Sequence, residues 1–184
     1  AGREAGKLIQ ACLPEGGEII ICVGSIDAQN SHDRLEGLKD QIKDSGHVIL
    51  DVRTDETDRA KAISNVQDAI IKQPDVDAFV GLWSYNGPAI LNGVKDSGRL
   101  GSIKIVCFDE EDETLQGVVD GHIFGTVVQQ PFEFGYLSVK LLKAFADGDF
   151  SAIPPEKQVY VPTLSVTREN VDEFWAQLKA QVGK

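Results

Sequence analysis

The chain has 184 residues, 42% of them hydrophobic, and a formal net charge of −11 with a pI near 4.6. That length is enough for one good core, or a core plus a fragment. The acidity, with no basic stripe to replace phosphate counterions, argues against nucleic-acid binding and against docking on anionic lipid, and no apolar run approaches a membrane span.

Gly2 to Leu13 reads as a helix, with apolar or small residues at Ala5, Leu8, Ile9 and Cys12. Pro14-Glu15-Gly16-Gly17 ends it and turns into the first of five apolar runs: Glu18–Val23, His47–Val52, Val76–Leu82, Ile103–Phe108 and Ile123–Val128. Between them lie helical patterns. One spans about Ser31 to Asp44 with Leu35, Leu38 and Ile42, and one begins near Asp58 with Ala60, Ile63, Val66 and Ile70. Asn86-Gly87-Pro88 opens the next, with Asn86 placed to cap and Pro88 in the first turn. Asp112 to Val119 forms a short one. The first four runs recur about every 26 to 30 residues, the length of a βαβ step. This alternation predicts an α/β fold: a doubly wound parallel sheet with helices on both faces.

The alternation stops at Gln129. Pro131 to Ala146 is a strong helix carrying Phe132, Phe134, Tyr136, Leu137, Leu141, Leu142 and Phe145. Ile153-Pro154-Pro155 leads through Val159-Tyr160-Val161 to a strand at Leu164–Thr167 and a helix over about Glu169 to Gln181. The sixth helix holds more apolar surface than one lobe can cover, so it is expected to be exposed or covered by a second chain. The chain lacks Met, shows no signal peptide and opens inside a helical pattern, which suggests a segment lost from its start.

Catalytic signatures do not emerge. Gly24-Ser25-Ile26-Asp27-Ala28 is neither a dinucleotide turn nor a phosphate loop, and Ser25 lacks a nucleophile elbow. His32, His47 and His122 stand in no metal spacing, and the acidic run from Asp109 to Glu113 reads as a solvated loop or a helix start. Cys12, Cys22 and Cys107 have no metal-type spacing, and the last two read as buried structural thiols. No enzyme activity and no cofactor or metal are expected.

Binding chemistry is better represented. In such sheets ligands bind beyond the carboxyl ends of the strands. Arg34 follows the first run, Trp83 and Asn86 the third, Asp109 the fourth and Gln129 the fifth. A guanidinium donates several fixed hydrogen bonds to vicinal hydroxyls, and a carboxylate accepts from two. An indole can lie against a sugar's C–H face, and an amide both donates and accepts. Each has a plainer role open to it: a surface ion pair for Arg34, a cap for Asp109 or Asn86, core filling for Trp83, and satisfaction of crossover backbone for Gln129. Together at strand ends they favour a rim for an uncharged polyhydroxylated ligand.

Asp33-Arg34-Leu35-Glu36-Gly37, Gln73-Pro74-Asp75-Val76-Asp77-Ala78, Val106-Cys107-Phe108-Asp109, Asp120-Gly121 and Gly125 to Pro131 are ordered and spaced as in a known family. The chain resembles the C-terminal portion of type I periplasmic sugar-binding proteins, the ribose-binding group that serves ABC importers. The resemblance implies two α/β lobes clamping a sugar. Residues 1–128 and 163–184 would form the C-terminal lobe, 129–162 a crossover and a fragment of the N-terminal lobe, with the rest of that lobe upstream.

By the same resemblance Arg34, Asp109 and Gln129 fall on sugar-contacting positions, the protein is extracytoplasmic, and its partners are a sugar, an ABC permease and the missing lobe or a neighbouring copy. Trp83 falls where relatives commonly have the asparagine of an Asn-Asp pair, which leaves the sugar's identity open. Effector domains of LacI-type regulators share the fold and are the alternative; a flavodoxin-like enzyme or a scaffold without a ligand are weaker ones.

Overall fold

A computed structural model describes residues 1–183. Helix α1 (Gly2–Cys12) precedes five strand–helix steps: β1 (Gly17–Val23), α2 (Gln29–Ile42), β2 (His47–Thr54), α3 (Arg59–Lys72), β3 (Ala78–Gly81), α4 (Asn86–Asp96), β4 (Lys104–Phe108), α5 (Asp112–Val119), β5 (Gly125–Val128) and α6 (Pro131–Ala146). The described chain ends with β6 (Leu164–Thr167) and α7 (Val171–Val182). Val159-Tyr160-Val161 adopts no strand.

The sheet runs in the order β2-β1-β3-β4-β5-β6, and β1–β2, β1–β3, β3–β4 and β4–β5 all pair in parallel. Alternation along the strands explains the winding. Ile19, Ile21, Val23, Val80, Val106 and Phe108 turn to one face, where Ala5, Leu8 and Ile9 of α1 and Leu35, Leu38 and Ile42 of α2 cover them. Ile20, Cys22, Phe79, Ile105 and Cys107 turn to the other, under α3, α4, α5 and α7. With both faces covered, the strands are near-continuously apolar.

The winding reverses between β1 and β3. The chain leaves β1 for α2 on one face and leaves β3 for α4 on the other, and at such a reversal open α/β sheets place ligands by the strands' carboxyl ends. By its internal contacts the chain divides into two units: Ala1–Val128 together with the stretch from Ser165, and Gln129–Leu164. The second unit contains α6, which has no buried residue. Phe132, Tyr136, Val139, Leu142 and Phe145 on it are all exposed, and Phe145 meets Phe150 edge to face, with ring centroids 5.2 Å apart.

Cys22 and Cys107 are buried free thiols and Cys12 is half-buried. Burial pushes Cys22 up to about 12 and Cys12 to about 11, so none of these is primed as a nucleophile.

Candidate functional site at the strand ends

Arg34 lies in the second turn of α2, and its side chain crosses over the sheet's end. It is only 7% exposed. Nη1 donates to the carbonyl of Leu82, just past β3, and the guanidinium lies 4.4 Å from the ring centroid of Phe108, the last residue of β4. Both terminal nitrogens face Asp109, at 3.5 Å from Nη1 to Oδ2 and 3.5 Å from Nη2 to Oδ1. The fork is thus aligned with the carboxylate but held long, with hydrogen-bonding capacity to spare.

Asp109 takes φ of 68°, in the left-handed region. Two bonds fix this turn: its N–H donates to Val127 at 2.9 Å, and its carbonyl accepts from Thr126 Oγ1 at 2.7 Å. The carboxylate caps no helix. Burial raises its titration, against the pull of Arg34, and Glu110 beside it is raised by burial and then by Asp109.

The sign of that shift sets a pH dependence. A raised carboxyl is relieved by protonation, so acidification does not unfold the chain through Asp109, but it removes the acceptor. A ligand held by this carboxylate should bind more weakly on the acid side, starting above the ordinary aspartate range. Asp109→Asn should flatten that profile in calorimetric titrations across pH.

The loop after β3 supplies the rest. Trp83 is half-buried; its indole N–H donates to the buried Ser31 Oγ at 2.8 Å, and its ring meets Tyr85 edge-on, centroids 6.3 Å apart. Gly24 seats the indole, since a Cβ there would overlap the ring.

Asn86 is fully buried, and it opens α4 without capping it. Its Oδ1 accepts from the Trp83 N–H at 2.9 Å and its Nδ2 donates to Asp55 Oδ2 at 3.0 Å. The expected N-cap is therefore a brace, bent back across the turn to hold two strand-end loops together, with both ends of its amide taken. Gly81 admits it, as a Cβ there would lie 2.8 Å from that of Asn86.

Asp55 is buried just after β2, and nothing in its local sequence marks it. It accepts from Tyr85 Oη, from Asn86 and from the Thr57 N–H at 2.9 Å. Glu56 and Thr57 after it have φ of 55° and 67°. Burial, followed by Asp55, raises the Tyr85 phenol, so it stays a donor. Arg59 lies 5.4 Å from the Tyr85 ring and pairs with Glu111 at 3.1 Å.

Arg34, Trp83, Asn86 and Asp109 thus join one connected rim across α2, β3 and β4. Gln129 is half-buried and belongs to the second unit, where the adjacent Gln130 donates to Pro162 O at 2.7 Å. Among the described residues no group of three or more His, Cys, Asp or Glu is placed to hold a metal ion, and no helix is long and apolar enough to cross a membrane.

A doubly wound parallel sheet with an arginine–aspartate pair and aromatic rings at its strand ends has the arrangement of an α/β ligand-binding lobe. Residues 1–149 match the periplasmic binding protein domain, and the chain belongs to that family.

The chain is 23% identical over 159 residues to the xylose/arabinose-binding protein XylF of Sulfolobus acidocaldarius, covering 84% of this chain and 39% of that protein. It is 23% identical over 148 residues to the ribose import binding protein RbsB of Salmonella typhimurium, covering 80% and 50%. The crystal structure of GanP, a glucose-galactose binding protein from Geobacillus stearothermophilus, superposes with a TM-score of 0.84 at 25% identity, covering 92% of this chain and 59% of that one. The chain therefore spans about half the length of the curated relatives it matches.

Proposed function

We propose that this chain is the C-terminal ligand-binding portion of a solute-binding protein that captures a monosaccharide or related polyol between two lobes and hands it to an ABC-type importer outside the cytoplasmic membrane. The observation that carries the reading is the Arg34–Asp109 pair, long and underused at the ends of β3 and β4. It offers donors and acceptors for vicinal hydroxyls where the fold places ligands. Membership of the periplasmic binding protein family supports it, and so do relatives named for xylose, arabinose and ribose.

In this reading residues 1–128 and 163–184 belong to the C-terminal lobe and 129–162 to a crossover and a piece of the N-terminal lobe. Gln129 is a further candidate for the sugar, and closure is by hinge motion. Arg34 donates, Asp109 accepts, and Asn86 holds the loop rather than the ligand.

Scanning fluorimetry of the two-lobed protein with a sugar panel tests this. At least one sugar should raise the melting temperature with dose, as a ligand of the native state must. No stabilisation by any sugar, or turnover of one, would overturn it.

The 184-residue chain by itself should bind sugar feebly, and it should self-associate. Phe132, Tyr136, Val139, Leu142 and Phe145 all stand exposed along α6, and clustered apolar surface of this kind drives association. Sedimentation should show concentration-dependent oligomers that Phe132→Ser, Val139→Ser and Leu142→Ser together suppress. A monomer at all concentrations would contradict this.

A further inference from the structure

The sheet has two outer strands of unequal length. β6 on one side has four residues, too few to template much pairing, whereas β2 on the other has eight. Among the described residues β2 pairs only with β1, so its far side is the open edge of the sheet. Its sequence suits strand addition. Val48, Ile49, Leu50 and Val52 are apolar, Val48 is exposed, and Asp51 is the one carboxylate among them.

The carboxyl half of that edge is nonetheless closed by side chains. The Asp55 N–H donates to the carbonyl of Val23 on β1 at 3.2 Å. With a strand's period of two, Arg53 turns the same way, and Val52 and Thr54 turn outward. Both outward residues find a partner within the chain. The Val52 N–H donates to Asp51 Oδ1 at 2.8 Å, and the Thr54 carbonyl accepts from Nδ2 of Asn65, on α3, at 3.1 Å. Arg53 Nε stands 2.6 Å from Asp51 Oδ2, an ion pair not aligned as a hydrogen bond, which keeps the carboxylate against the strand. The register of β2 on β1 also shifts at Leu50, an irregularity of the kind that blunts edges.

We propose that Asp51, helped by Asn65, blocks the open edge of β2 from within, and that what it holds off is a second copy of this chain adding β2 to β2. The proposal is independent of the ligand. Two copies related by a two-fold axis would meet with their β2 strands antiparallel and merge their sheets. A second copy is always present at the protein's own concentration, and that pairing sets the same apolar run against itself. It needs the Val52 N–H and the Thr54 carbonyl as ladder partners, and both are already bonded. It also brings the Asp51 charges of both copies onto one short ladder.

Sedimentation and residue-resolved hydrogen exchange of the two-lobed protein test this. Asp51→Ala, which frees the Val52 N–H, should self-associate about tenfold or more tighter than the parent. In dilute solution its Val52 amide should exchange several-fold faster than in the parent. At high concentration that amide should be protected again, because its new partner is a second β2. Asp51→Asn loses the Arg53 ion pair as Ala does but keeps an oxygen acceptor, so its association should stay within about threefold of the parent's. Asn65→Ala frees the Thr54 carbonyl from a different element and should also associate, so it carries the test if Asp51→Ala does not fold. Folded variants no more associated than the parent would overturn the block. So would equal association of Asp51→Ala and Asp51→Asn, or association that leaves exchange along β2 unchanged.

Discussion

Replacing Arg34 by Ala should weaken sugar binding by about tenfold to a hundredfold or more. It should also destabilise the fold, and the two effects have one cause. Arg34 is 7% exposed, and its guanidinium serves three neighbours: the Leu82 carbonyl, the Asp109 carboxylate and the face of Phe108. Its hydrogen bonds to a ligand come from a charged group, each worth about 1.5–3 kcal/mol. Removing it also leaves Asp109 without its counter-charge and Leu82 without its donor.

Breaking a fully buried pair costs about 3–5 kcal/mol. The Asp109 side chain is 26% exposed, so water will take up part of the lost interaction and the stability cost should be nearer the 1–3 kcal/mol of an unsatisfied buried group. Arg34→Lys separates the two contributions. Lysine keeps the charge but cannot hold the carbonyl and the carboxylate in one planar fork, so most of the stability should return while affinity stays depressed. Urea unfolding and calorimetry read the two quantities independently. Unchanged affinity in both variants would show that the ligand does not meet this arginine.

Residue by residue, the architecture was far easier to read than the rim. The strands announce themselves because both sheet faces are buried, so Ile19 to Val23 and Ile105 to Phe108 are apolar without interruption. The starts of α3 and α6 were legible near Asp58 and at Pro131, and Asp58 caps α3 through the N–H groups of Ala60 and Lys61. Strand bounds shifted where an apolar residue packs without pairing: Val76 and Ile123 are buried but lie outside the ladders of β3 and β5.

Of the candidate rim, Arg34, Trp83 and Asp109 were legible from their places at strand ends, and the residues that brace them were not. Arg34 and Asp109 stand out because a charge at a strand end needs a reason. Asp55 does not stand out, since Asp51 and Asp58 flank it and nothing local marks which of the three is buried. Its burial follows from Tyr85 and Asn86, some thirty residues on, and from the pairing of β1 with both β2 and β3. Asn86 was misread for the related reason that a carboxamide before Gly-Pro is a good cap on local grounds. Its tertiary partners, Asp55 across the rim and the Trp83 N–H behind it, draw it the other way.

Phe108→Ala should produce the largest loss of stability among substitutions at the rim, about 3–5 kcal/mol in urea unfolding. The ring is fully buried at the end of β4, in one core cluster with Val80, Leu82 and Val127 under α1 and α2, so truncation opens a cavity in packed core. Its second role is as the floor on which the Arg34 guanidinium lies. A cation over an aromatic face gains about 0.5–2 kcal/mol, which an aliphatic side chain cannot supply. Phe108→Leu isolates that role. It nearly preserves core volume, so it should cost less than about 1.5 kcal/mol of stability. It nonetheless loosens the guanidinium, and sugar affinity should fall several-fold with the unfolding midpoint little changed. If Phe108→Leu binds sugar as tightly as the parent, the platform under Arg34 is only packing. The geometry of the fork must then be held by Leu82 and Asp109 alone.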